Sequence, residues 1–153
     1  MVFQGFDTVM FGDVDASGLG HFAHQVRFLE RAEFQFMNHV KIVPREWFMR
    51  RYLFPRVKLE VDYTAPLYFG DDVRMDVQVG HLGNTSYSLV IEVVNLTSSR
   101  RAMWARLVVV LLDPATHRPT PLPPELRDAF APYLVISDMS SEHVSASQHP
   151  KES

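Results

Sequence analysis

Two carboxylates and a glycine turn stand at the mouth of one long apolar-periodic segment. Asp13-Val14-Asp15-Ala16-Ser17-Gly18 runs through Leu19, Gly20 and His21 into an amphipathic stretch from about Phe22 to Val40. A carboxylate is ionised at neutral pH and serves as nucleophile or general base toward an electrophilic carbonyl. A helix N-terminus adds unpaired backbone N–H groups and positive dipole density, the surroundings that a developing oxyanion needs. Together they suggest acyl hydrolysis. The same pattern also reads as turn or N-cap acids, and Gly18 reads most simply as a residue of positive φ that also lets a substrate approach the backbone.

Other polar residues cluster nearby in sequence. His21 and His24, three residues apart, could join Asp13 or Asp15 at a metal, but no ligand pattern such as H-E-x-x-H supports this, so no metal and no cofactor is expected. They read instead as pocket or surface histidines, with His21 placed to tune water or substrate beside Asp15. Glu30 lies within the helical segment among Arg27, Arg31 and Glu33. It reads either as a solvated ion-pairing acid or as a partner of the site.

These residues need elements to position them. Between Phe22 and Val40, Phe22, Val26, Leu29, Phe36 and Val40 fall near one helical face with Phe28 and Ala32 beside them, while Arg27, Arg31, Gln35 and Asn38 occupy the other. A first strand is expected within Val2 to Phe11. Pro44 ends the helical pattern, and Arg45 to Tyr52 has the composition of a short second helix. Val57, Leu59, Val61 and Tyr63 then alternate with Lys58, Glu60 and Asp62 as in a half-buried strand. Val73 to Leu82, Ser86 to Leu96 and Arg101 to Leu112 read as three further strands, joined by turns at Gly83-Asn84 and Thr97-Ser98-Ser99-Arg100. One long helix followed by successive antiparallel strands is the order expected when a curved sheet wraps a helix. Pro114, Pro119, Pro121, Pro123 and Pro124 make a stiff exit toward a short helix over Glu125 to Phe130. One domain is expected over 1–133, followed by a disordered tail over 134–153 rich in Ser, Glu, His and Lys.

Composition narrows the function classes. The 153 residues are 46% hydrophobic, enough for one well-buried domain, and the formal charge of -3 provides no basic field for nucleic acid. Cysteine is absent, which removes thiol nucleophiles and disulfides and fits a reducing compartment. No basic leader and no long apolar span occur, so a cytoplasmic location without a membrane span is expected.

The residue blocks resemble a known family. Phe11-Gly12-Asp13-Val14-Asp15-Ala16-Ser17-Gly18 followed by Phe28-Leu29-Glu30-Arg31-Ala32, then Val57 to Pro66, Gly70-Asp71-Asp72, Leu111 to Pro114 and Pro119 to Pro123, resemble the hot-dog thioesterases of the 4-hydroxybenzoyl-CoA thioesterase and YbgC-like type. The resemblance implies an α+β hot-dog fold, a curved antiparallel β-sheet wrapped around a long central α-helix, and hydrolysis of an acyl thioester. It makes Asp15 the catalytic carboxylate and the backbone amide of Phe22 the donor that polarises the carbonyl. Glu30 becomes a helix-borne neighbour of the site, and Thr85 and Ser86 match a hydroxyl-bearing turn beside the thioester or its carrier arm, although a plain hairpin turn explains them equally. The implied assembly is a homodimer or homotetramer.

Departures from the pattern bear on the substrate. Gln25 stands where the family usually has Tyr, and Gly20 where a branched apolar residue is common. The turn Leu82-Gly83-Asn84-Thr85 lacks the cations with which relatives meet coenzyme A phosphates, so Arg100 and Arg101 are candidates for that role, with Arg50-Arg51 and Arg56-Lys58 behind them. The carrier is therefore coenzyme A or an acyl carrier protein. Phe22, Leu29, Trp47, Phe48, Met49 and Phe54 suggest a medium-sized acyl or aryl pocket, or simply core. A noncatalytic hot-dog subunit and a dehydratase using His21 or His24 with Glu30 are the alternatives.

Overall fold

A computed structural model describes residues 1–42, 45–47 and 51–136. Five strands form one antiparallel sheet: β1 (Phe3–Thr8), β2 (Arg56–Tyr63), β3 (Asp72–Leu82), β4 (Ser86–Asn95) and β5 (Arg100–Val110), in the order β1-β3-β4-β5-β2. The helix α1 (Val26–His39) packs on β1, β3 and β4, and a shorter α2 (Pro124–Phe130) follows β5. Strand alternation explains which face is covered. Val73, Met75, Val77 and Val79 of β3, with Tyr87, Leu89, Ile91 and Val93 of β4, are all fully buried, whereas the intervening Arg74, Asp76, Val90 and Glu92 point to the other face. This is the hot-dog arrangement implied by the sequence.

The helix begins later than expected. Residues 21–25 form a hydrogen-bonded turn in which the His21 carbonyl accepts from the His24 and Gln25 N–H groups at 2.9 and 3.0 Å. The buried stripe of α1 is Phe28, Leu29, Ala32, Glu33, Phe36 and Met37, so Val26 and Val40 flank the core instead of entering it. Gln35 fastens the helix to β1: its amide accepts from the Phe6 N–H and donates to the Phe6 carbonyl, both at 3.2 Å. Gly5 makes this possible, since a Cβ there would lie 2.4 Å from Gln35 Oε1.

Strand β2 is less covered than its alternation suggests, with Val57 57%, Leu59 46% and Tyr63 45% exposed. It is an edge strand, paired to β5 on one side only. The expected helix over Arg45 to Tyr52 is helical at 45–47; Phe48, Met49 and Arg50 lie outside the described residues. Of the tail set off from 134, Leu134 bridges Val79 and the Val135 N–H donates to the Val79 carbonyl at 2.8 Å, which extends the folded part past Tyr133. Residues 137–153, on which the rest of that expectation falls, lie outside the described ones.

Candidate active site

The loop between β1 and α1 is short of side-chain packing and rich in backbone ties. Asp15 N–H donates to the Leu19 carbonyl at 2.8 Å and Gly18 N–H to the Asp15 carbonyl at 3.0 Å, closing a turn that needs φ of 81° at Gly18. The Gly20 N–H then donates to the Leu67 carbonyl at 2.6 Å, and the Phe69 N–H to the Gly18 carbonyl at 2.9 Å. The loop is thereby pinned against the segment ahead of β3.

The two acids of this loop have different environments. Asp13 is 1% exposed, accepts from Arg31 Nη2 at 3.1 Å and from the Met10 N–H at 2.9 Å, and locks the loop to α1. Asp15 is exposed. Its Oδ1 accepts from the hydroxyl and, at 2.8 Å, from the N–H of Ser17, while no donor among the described residues meets Oδ2. The Ser17 hydroxyl, followed by the Ser17 N–H and a smaller contribution from His21, holds the Asp15 carboxyl below its ordinary range. One oxygen is fixed and the other is open to a reactant.

Beside it lies the turn 21–25. No acceptor among the described residues takes the Phe22 N–H, whereas its carbonyl accepts from the Tyr63 hydroxyl at 2.6 Å. The Phe22 side chain is 70% exposed. The donor predicted at the start of the helix thus sits one turn ahead of it, anchored from β2 by a tyrosine that the sequence reading passed over. His21 Nδ1 accepts from the Ala23 N–H at 3.2 Å, and its ring lies 4.5 Å from that of His24.

Gln25 and Gly20, two of the departures from the family pattern, touch one another. Gln25 Nε2 donates to the Gly20 carbonyl at 3.0 Å, and a Cβ on Gly20 would lie 2.8 Å from that nitrogen and 3.1 Å from the Leu67 carbonyl oxygen. A branched residue at 20 would displace both. Gln25 Oε1 and His24 Nδ1 are buried without a partner among the described residues.

From α1 toward β2 runs an open groove of about 900 Å³, lined by the apolar Val26, Leu29, Phe34, Leu59 and Leu107 and by the charged Arg27, Glu30 and Arg45. Glu33 and Arg56, whose carboxylate and guanidinium pair at 2.7 Å, line it as well. Glu33 was grouped with exposed helix charges in the sequence, yet its side chain is only 5% exposed. It follows Leu29 by four residues and precedes Met37 by four, so its place on the buried stripe was present in the spacing. Burial raises its carboxyl above the ordinary value, with Arg56 opposing. Arg56, a reserve candidate for phosphate, is thus held by Glu33. Of the expected pocket residues, Leu29 lines the groove, Trp47 and Phe54 belong to the core, and Phe48 and Met49 lie outside the described residues.

The remaining candidates separate by end of the sheet. Arg100 and Arg101 start β5 next to Met103, which pairs with Tyr63, and so lie at the Asp15 end. Arg101 pairs with Glu92 at 3.2 Å on the face turned away from α1. Thr85 and Ser86 lie at the opposite end, where β3 turns into β4, and one copy of the chain does not bring them to Asp15.

The model of the thioesterase-like superfamily matches residues 9–130, a span that holds the Asp15 loop, α1 and four of the five strands, with β1 just ahead of it. The chain belongs to this superfamily. It is 27% identical over 123 residues to a 1,4-dihydroxy-2-naphthoyl-CoA hydrolase of Synechococcus elongatus, covering 79% of this chain and 89% of that one. It is equally 27% identical over 122 residues to the acyl-CoA thioester hydrolase YbgC of Escherichia coli, covering 80% and 90%. Among solved structures, a 1,4-dihydroxy-2-naphthoyl-CoA thioesterase from Synechocystis superposes with a TM-score of 0.79 over 86% of this chain and 96% of its own, at 17% identity, a likeness of fold. Thioester hydrolase, the enzyme class implied by the residue blocks, is that of the superfamily. No helix among the described residues is long and apolar enough to cross a membrane.

Proposed function

We propose that this chain hydrolyses acyl thioesters with Asp15 as nucleophile or general base and the Phe22 N–H as donor to the carbonyl oxygen. The observation that carries this reading is a carboxylate with one fixed and one open oxygen beside a turn whose backbone N–H has no acceptor among the described residues. A thioester carbonyl is electrophilic enough for an ionised carboxylate to attack it or to activate water toward it. As charge builds on oxygen, the N–H gains a hydrogen bond absent from the ground state. Release of thiol from a panel of acyl-CoA esters, by wild type and by Asp15→Asn, tests the reading directly.

Coenzyme A is the carrier favoured by the relatives' substrates, with Arg100 at the Asp15 end as first candidate for the phosphates and Arg101 beside it. An acyl carrier protein would present the same arm; kcat/KM for one acyl group on coenzyme A, pantetheine and carrier protein separates the two.

The active form is a homodimer paired through β2. That edge carries exposed Val57, Leu59 and Tyr63, and unpaired strand edges invite a second strand. Two-fold antiparallel pairing of β2 with its copy would also carry the partner's opposite sheet end, and with it the Thr85-Ser86 turn, toward Asp15. Light scattering over a dilution series should show loss of activity with dissociation; a fully active monomer would overturn the pairing.

A further inference from the structure

The turn that carries the Phe22 N–H has little side-chain packing to hold it, since Phe22 and Ala23 are both exposed. Backbone bonds fix one side. The His21 carbonyl accepts from the His24 and Gln25 N–H groups, and the His21 N–H donates to the Asp13 carbonyl at 2.9 Å, which ties the turn to the acid loop. A trans peptide is planar, so with the His21 carbonyl turned toward these donors the Phe22 N–H of the same unit points out of the turn.

The other side is held from the sheet. In a continuing helix the Phe22 carbonyl would accept from the Val26 N–H. Here it accepts from the Tyr63 hydroxyl at 2.6 Å, and no backbone N–H among the described residues takes it. Tyr63 is itself well supported at the end of β2, where it pairs with Met103. The next residue, Thr64, donates its N–H to the Ala102 carbonyl at 2.9 Å and its hydroxyl to the Arg101 carbonyl at 2.8 Å. Burial raises the Tyr63 hydroxyl above its ordinary pKa, so it stays protonated and able to donate through neutral pH.

We propose that Tyr63 is a positioning residue for thioester hydrolysis: it holds the Phe22 carbonyl away from the helix and so sets the aim of the Phe22 N–H. The inference rests on the thioesterase reading for the role of that N–H. Tyr63 acts through the backbone of Phe22 and needs no contact with the substrate. A donor aimed at the developing oxyanion contributes chiefly in the transition state, so its misplacement costs turnover more than binding.

Tyr63→Phe removes one oxygen from a half-exposed side chain and keeps the ring, so the fold should persist. On the acyl-CoA that wild type hydrolyses fastest, kcat should fall about tenfold or more, part of the worth of an oxyanion donor, while KM stays within about twofold. The acid limb of kcat/KM should stay where wild type has it, because Asp15 and Ser17 are untouched. In isotope-labelled protein the Phe22 amide resonance should move and the Ser17 amide resonance should stay. Unchanged kcat, a loss carried by KM, a shifted acid limb, an unmoved Phe22 resonance, or a fall in kcat matched by a fall in the folded fraction would overturn the role. Absence of thiol release from every ester by wild type would overturn the activity instead, and the Phe22 resonance still reports whether Tyr63 holds the turn.

Discussion

The loop ahead of α1 and the middle of α1 handle negative charge in opposite ways. In the loop, Asp15 is exposed and hydrogen bonds from Ser17 hold its carboxyl below its ordinary range. Seven residues into the helix, Glu33 is buried, its carboxyl is pushed the other way by burial, and its charge is answered by one guanidinium. The first arrangement leaves one oxygen without a donor among the described residues; the second closes on itself. On the proposed reading, reaction chemistry belongs to the loop and the helix supplies a wall of the groove.

The sharpest way to break that contrast is Asp15→Asn. It is near-isosteric, so the fold should persist, and turnover should fall at least about 100-fold, as for loss of a nucleophile or base. Unchanged thiol release would move the chemistry elsewhere. Next in size, Asp13→Ala removes the buried partner of Arg31, whose side chain is itself 34% exposed. Unfolding in urea should show a loss of about 2 kcal/mol, discounted for that exposure, with turnover of the folded fraction changed far less than in Asp15→Asn.

A smaller effect tests how Asp15 is tuned. Activity through an ionised carboxylate is lost as pH falls through its pKa, which Ser17 depresses. Ser17→Ala should let that pKa rise, so the acid limb of kcat/KM moves to higher pH, read by pH-jump assays from neutral stock; an unmoved limb would detach Ser17 from the chemistry. Smallest, replacing Arg100 and Arg101 with Ala should raise KM for acyl-CoA more than it lowers kcat, with an effect that fades at high salt. A strong coenzyme A preference that survives the pair would place the phosphates elsewhere.

Much of this architecture was legible because strand alternation and turn residues are local signals. All five strands lie where the apolar pattern and the Gly, Asn and Ser turns put them, within a residue or two apart from β1, whose imperfect alternation left its limits loose. The onset of α1 was not legible: residues 21–25 continue the apolar spacing, but His21 takes the Ala23 N–H on its ring and turns the chain before the helix begins. Edge position was equally hidden, since the alternation of β2 says which side chains share a face and nothing about which strand lies beyond. Within the site, Asp15 and Phe22 came from matching blocks. Tyr63 and Glu33 were missed because their partners lie 41 and 23 residues away in the chain.

The amide of Gln35 lies along the outer side of β1 and occupies both backbone groups of Phe6 that face away from β3. A strand sealed in this way is a poor template for another chain. If copies pair through β2 as proposed, the Phe6 groups at the outer margin of each β1 stay occupied, so pairing at that margin is opposed at both extremities of the joined sheet. Gly5 leaves room for Gln35 there, so a methyl group at that position would push the amide off β1 and should show first as lower solubility, from an edge left free to pair.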